Sequence, residues 1–208
     1  MTDSAICQSP EAMLASSANA ILSGATRKCV KPSGRQAFAG TTSPEAAFAE
    51  VAGGLEALLP RLWRFALMQC GDMATADDLV QAACLRALEK CAQFRAGSRL
   101  DSWLYTILVS IWRNELRAAG VRRGQGVMDV ALIDLPASDA DPEERAYLID
   151  VLDAVAGLPQ GQRAVVNLVC VEGFAYGEAA RILDVPIGTV MSRLHTARRK
   201  LALALGGT

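Results

Sequence analysis

Ala76, Leu79, Val80, Ala83, Cys84, Ala87, Leu88 and Cys91 recur at spacings of three and four residues, and this spacing constrains the fold more than any other feature. An α-helix turns once every 3.6 residues, so such residues line one face that must be buried against a partner surface. No stretch of the chain keeps the two-residue alternation of a half-buried strand. Only 5% of the 208 residues are aromatic, and Ala and Leu are plentiful, a balance that also favours helices. The predicted class is all-α, as two small helical modules joined by a flexible linker, the C-terminal one a helix-turn-helix.

Start and stop signals divide the rest. Ser43-Pro44-Glu45 combines an N-cap residue, a proline at the first helical position and an acid near the positive helix end. A helix is expected from there to about Cys70, closed by Gly71, with Gly53-Gly54 as an early break. Thr75 with Asp78 three residues on suggests a capping box for the striped helix. A third helix is expected over 101–119. It has one apolar stripe of Leu100, Leu104, Ile107, Leu108 and Ile111, and a second of Tyr105, Val109, Trp112 and Leu116. A helix apolar on two sides is either sandwiched in a core or presents its second face to something else. Residues 124–142 contain four aspartates and no base, which reads as an acidic linker. Asp141-Pro142-Glu143 then repeats the start signal, and four shorter helices follow over 143–156, 160–171, 175–184 and 188–204. The expected domains are a disordered extension (1–44), a first module (45–118), the linker (119–142) and a C-terminal module (143–208).

Several function classes fall away. Six cysteines lie scattered without CxxC spacing, and the one histidine, His195, is far from all of them. Neither a disulfide scaffold nor a structural zinc site is expected, and no metal or cofactor. No apolar run reaches the ~20 residues of a membrane span. Residues 12–44 hold four bases and no acid, which an organelle transit peptide would also show; a disordered extension or an over-extended start is the simpler reading. No phosphate-binding glycine loop and no nucleophile-base pair stands out, so an enzyme is not expected.

The last two helices look like a DNA reader. Phe174, Ala179, Ile182 and Leu183 supply the apolar side of the first, and Val185 to Gly188 a tight turn. Val190, Leu194, Ala197 and Leu201 form the stripe of the second, at steps of four, three and four. Its other side carries Thr189, Ser192, Arg193, His195, Thr196, Arg198, Arg199 and Lys200. Residues 188–201 hold four bases and no acid in a chain of net charge −1. That local asymmetry suits a helix lying in a major groove, its N-terminal half at base edges and its basic end on phosphates. A solvated terminal helix with ordinary surface arginines is the plainer alternative. His195, with no carboxylate or cysteine beside it, is expected to be a DNA-facing or surface residue.

The wording of these segments resembles a known family. Gly71-Asp72 through Asp77-Asp78-Leu79-Val80-Gln81, then Leu85-Arg86-Ala87-Leu88, resembles the polymerase-binding helix of sigma factors. Phe94-Arg95 followed by Trp103-Leu104-Tyr105-Thr106-Ile107 is similar to their promoter-melting element. Leu158-Pro159 with Gln162-Arg163, and Gly188-Thr189-Val190 with Ser192-Arg193-Leu194-His195, resemble their C-terminal module. The likeness covers roughly residues 45–205, and a linker too short for a middle domain points to the extracytoplasmic-function (ECF) subfamily.

The resemblance implies a cytoplasmic transcription-initiation factor, nucleoid-associated when in holoenzyme, serving a stress or envelope response. Asp78, Gln81 and Leu85 would dock on the clamp of the largest subunit of core RNA polymerase. Phe94, Arg95, Ser110, Arg113, Asn114 and Arg117 would meet the unwound minus-ten strand, with Trp103 and Trp112 stacking or packing there and Trp103 better suited to the core. The C-terminal module would sit on the flap of the second subunit and read the minus-thirty-five promoter DNA. An anti-sigma factor is a further implied partner that no residue identifies. Ala82, Cys84, Ser110, Met191 and Thr196 depart from the usual pattern, which leaves promoter sequence and affinity open; weaker, more salt-sensitive DNA binding is predicted for the isolated C-terminal module. A helix-turn-helix regulator that never joins polymerase would share the C-terminal half, but it has no reason to carry Asp78, Gln81 and Leu85 on one exposed face.

Overall fold

A computed structural model describes residues 44–95, 97–118 and 142–206. The expected extension, most of the linker and Ser43 lie outside the described residues. Among those described, every regular element is helical: α1 (Pro44–Cys70), α2 (Met73–Glu89), a 3₁₀ turn (Cys91–Gln93), α3 (Leu100–Ala118), α4 (Pro142–Ala156), α5 (Gln160–Val166), α6 (Tyr176–Leu183) and α7 (Ile187–Ala204). A π-helical turn, Asn167–Val171, extends α5.

α1 starts at Pro44, as its start signal implies, and Gly71 closes it with φ 76°. Only glycine adopts that backbone freely. The expected break at Gly53-Gly54 does not occur, and α1 runs through it and through Pro60. The reason at Gly54 is close approach: a Cβ there would stand 2.2 Å from Leu100 Cδ2, so the missing side chain lets α3 pack onto α1. α2 begins earlier than the capping-box pattern suggests. Asp72 is its N-cap, and its carboxylate accepts the Thr75 backbone N–H at 2.8 Å. Asp satisfies an orphan helix donor as well as Thr does, so Thr75 becomes the third residue of the helix and not its cap.

The stripe from Ala76 to Cys91 is buried throughout. It packs on Val51, Leu55, Leu59, Leu62 and Ala66 of α1, and on Leu104 and Leu108 of α3. Trp63 Nε1 donates to Asp77 Oδ1 at 2.7 Å in a part-buried bond that ties α1 to α2. In the C-terminal half, α5, α6 and α7 close around Val165, Leu168, Phe174, Ile182, Val190 and Leu194. α4 leans on α7, with Val155, Leu152 and Leu201 around Met68 of α1.

The two halves share one apolar core. The second stripe of α3 is what joins them: Tyr105 lies edge-on between Phe65 of α1 (5.1 Å) and Phe174 ahead of α6 (5.3 Å). α3 is therefore sandwiched, and the second slice of its sandwich is the C-terminal half. Each such ring taken out of water contributes about 1.5–3 kcal/mol.

Candidate polymerase and nucleic-acid interfaces

α2 separates its two faces cleanly. Asp78, Gln81 and Leu85 are exposed and lie three and four residues apart, opposite the buried stripe. Leu85 is 48% exposed, so a large apolar side chain stands in water flanked by a carboxylate and an amide. Cys84, one position away, faces inward, and burial pushes its thiol up to about 11.

The residues expected at single-stranded DNA divide into three groups. Ser110, Asn114 and Arg117 are exposed along one face of α3, where Arg117 Nη1 donates to Asn114 Oδ1 at 3.1 Å. Arg95 is exposed on the loop before α3. Phe94 is only 6% exposed and packs its ring 5.2 Å from that of Trp103. Of stacking and packing, packing is what Phe94 and Trp103 do here. Arg113 turns toward the C-terminal half: its Nη1 donates to the Leu183 carbonyl at 3.0 Å and lies 3.9 Å from Asp184.

The C-terminal pair of helices has reader geometry. Glu178 caps the start of α6 by accepting the Ala175 N–H at 3.2 Å. Asp184 ends α6 in a left-handed conformation, φ 49°, which Asp tolerates better than most side chains. The chain then turns directly into α7. Val190, Leu194 and Ala197 are buried, whereas Ser192, His195, Arg198, Arg199 and Lys200 are exposed. Thr189, Arg193 and Thr196 are half-buried on the flank. Thr196 Oγ1 donates to the Ser192 carbonyl at 2.9 Å, and Ser192 Oγ to that of Thr189 at 3.1 Å. Arg193 leans away from the outer face: a Cβ on Gly161 would stand 3.2 Å from its guanidinium carbon. Arg193, Trp112, Arg113, Gln69 and Leu183 line a cavity of about 260 Å³ between the halves.

Three arginines at this junction carry no signal in local sequence. Arg61 donates from Nε (2.8 Å) and pairs through Nη2 (2.7 Å) with one oxygen of Glu172, whose side chain is 4% exposed. The Tyr105 hydroxyl lies near the same carboxylate; burial first and that negative charge second push its ionisation far up. Arg99 holds both oxygens of Glu178 at 3.1 Å, pairs with Asp101 and lies 4.9 Å over the Phe174 ring. Burial pushes the Asp101 carboxyl up, but the bond and charge of Arg99 and the Ser102 N–H outweigh it and hold the group below the usual range. Arg163, in α5, is 4% exposed, its Nε and Nη1 make no hydrogen bond, and burial holds its ionisation down. The partners of Arg61 and Arg99 lie 111 and 79 residues away, far beyond any helical period.

Two family profiles match in the order that this geometry suggests. Sigma-70 region 2 covers residues 55–122, which contain the exposed face of α2 and the polar face of α3. Sigma-70, region 4 covers residues 148–201, which contain the helix-turn-helix. The chain is 37% identical over 151 residues to the ECF RNA polymerase sigma factor EcfG of Rhodopseudomonas palustris, covering 72% of this chain and 81% of that one. This chain belongs to the ECF RNA polymerase sigma factors. It is also 35% identical over 147 residues to ECF sigma factor SigL of Mycobacterium tuberculosis, covering 69% of this chain and 82% of the relative. Among solved structures, the sigma factor RpoE of Bartonella quintana, captured with the anti-sigma factor NepR, is 31% identical. It superposes with a TM-score of 0.61 over 76% of this chain and 98% of its own. The sigma factor CnrH, in complex with the cytosolic domain of CnrY, shares the fold at a TM-score of 0.55 and 22% identity. No described helix of this sigma factor is long and apolar enough to cross a membrane.

Proposed function

We propose that this sigma factor works as two grips, residues 45–118 and 143–208, joined by the acidic segment 119–142. The first docks on the clamp of the polymerase's largest subunit through Asp78, Gln81 and Leu85, with Leu85 as the apolar anchor between two polar groups. Arg95, Ser110, Asn114 and Arg117, joined by Arg113 once it is released, hold the unwound minus-ten strand. Phe94 and Trp103 act by packing the loop that carries Arg95. A base taken from the stack costs a few kcal/mol, offset by stacking and edge contacts in its pocket.

The second grip sits on the flap of the second subunit and lays α7 in the major groove at the minus-thirty-five element. Thr189, Ser192, Arg193, His195 and Thr196 are near base edges, and Arg198, Arg199 and Lys200 near phosphates. One bidentate arginine-guanine contact discriminates by about 1–3 kcal/mol. The protein is a regulator without a reaction of its own, acting in the cytoplasm in a stress or envelope response. An anti-sigma factor is proposed as a partner because the similar Bartonella protein was captured with one.

The observation that carries this reading is the pair of free faces on one chain: Asp78, Gln81 and Leu85 exposed on α2, and an acid-free basic face on α7. Run-off transcription with purified core polymerase over a genomic fragment library tests it. Discrete start sites that appear only with this protein are expected. A protein that forms no holoenzyme, or one that opens no template, overturns the reading.

A further inference from the structure

The cavity between the halves has a charged lining of one sign. Arg113 of α3 and Arg193 of α7 are its cations, and no acid lines it. Arg113 donates from Nη1 to the Leu183 carbonyl, and the acid beside it, Asp184, stands 3.9 Å off with a side chain 92% exposed. Solvent screens a pair of that kind. Arg193 has no acid within ion-pair distance among the described residues. Its guanidinium lies over Gly161, where a Cβ would stand 3.2 Å from the guanidinium carbon.

Two buried donors on the same lining have no partner. Gln69 of α1 is 5% exposed, and its Nε2 makes no hydrogen bond; nor does Nε1 of Trp112. The Trp63 indole, in contrast, donates to Asp77. Buried N–H groups are paired in nearly all native proteins, so two orphans on one cavity point to a ligand that accepts from them. The terminal amide torsion of glutamine is soft, so Nε2 can turn to an acceptor. Between these polar groups the wall is apolar, formed by Phe65, Leu183 and the Trp112 ring.

From this lining we infer that the cavity is a binding site for a small organic carboxylate with an apolar body. The carboxylate lies between Arg113 and Arg193 and accepts from Gln69 and Trp112. The body packs on Phe65, Leu183 and the Trp112 ring. Guanidinium forks match carboxylate geometry, and a charge-assisted bond is about twice as strong as a neutral one. Drug-sized ligands occupy about 300–1,000 Å³; a volume of about 260 Å³ selects a smaller molecule. Phosphate would satisfy the cations but leave the apolar wall unused. The inference does not rest on the promoter roles proposed for Arg113 and Arg193.

The test titrates the full chain, without DNA or polymerase, at fixed ionic strength. Its probes are benzoate, the neutral analogue benzamide and inorganic phosphate. Indole N–H resonances read the site. The Trp112 signal, assigned by its loss in Trp112→Phe, is expected to shift saturably with benzoate, whereas that of Trp63 stays. A dissociation constant of about 1 mM or below suits a probe of this size. Because both halves supply the site, benzoate at about ten times that constant should raise the melting temperature by about 3 °C. Benzamide and phosphate are each expected to bind at least about tenfold more weakly.

Arg193→Gln is expected to weaken benzoate about tenfold. Gly161→Ala, which keeps every charge but displaces the Arg193 guanidinium, should weaken it as well. Gln69→Leu is expected to weaken benzoate about fivefold yet melt no lower than the parent, because it removes a buried donor that has no partner. A Trp112 signal that does not move up to about ten millimolar benzoate overturns the inference. So does benzamide or phosphate binding as tightly as benzoate, since the ligand class is then wrong. Benzoate affinity unchanged in both Arg193→Gln and Gln69→Leu places the probe elsewhere and overturns it too.

Discussion

Leu85 and Cys84 are neighbours in sequence and opposites in environment, which makes them the sharpest residue-scale test. Leu85 is 48% exposed and off the packed stripe, so Leu85→Asp should leave folding stability within about 0.5 kcal/mol. Its effect belongs at the polymerase surface, where a lost apolar anchor typically costs about 1–3 kcal/mol, a weakening of about 5- to 150-fold. Titration of labelled core polymerase with parent and variant would show it; unchanged affinity would remove Leu85 from the docking face. Cys84, by contrast, is buried, and its thiol is pushed up to about 11. The reactive form is the thiolate, so Cys84 should label slowly at neutral pH while the exposed Cys170 labels fast. Mass-spectrometric mapping of a timed alkylation distinguishes them.

At the scale of elements, what the chain says locally was largely realised. The stripe of α2 is buried at every position its spacing picks out, because 3.6-residue periodicity is a property of the helix itself. Helix ends were less legible. α2 is capped by Asp72, not Thr75, since the Asp72 carboxylate accepts the Thr75 N–H and so starts the helix three residues earlier. Asp72→Ala is therefore expected to cost about 1 kcal/mol, whereas Asp78→Ala should not affect helix stability through capping. Urea denaturation of the two variants would separate the caps. Gly53-Gly54 misled for a related reason: a glycine pair weakens an isolated helix, but at Gly54 it admits Leu100, and that tertiary contact outweighs the propensity.

For the whole molecule, the junction between the halves governs pH behaviour. Asp101 has its ionisation held below the usual carboxylate range, with burial opposed by the stronger effect of Arg99. A folded-state value depressed below the unfolded one adds stability that is present above the unfolded value and lost as pH falls through the folded one. Asp101→Asn should thus lower the melting temperature at neutral pH and make no difference in strong acid. Thermal melts of parent and variant across pH measure this; a gap that persists unchanged at low pH would assign the role of Asp101 to packing. Arg99 also grips Glu178 across the junction, so the same loss should loosen the contact between the halves.

The sequence by itself determined the helical class, the positions of the helices, the buried stripes, the exposed trio on α2 and the basic face of α7. All of these follow from periodicity, caps and local charge, which act within a few residues. Only the tertiary structure decided that the second stripe of α3 is covered by the C-terminal half, that Phe94 packs inward, and that Arg61, Arg99 and Arg113 find their partners there. Those contacts join residues 70 to 111 positions apart. No local pattern encodes such pairings, because they come from which surfaces meet after the helices have formed.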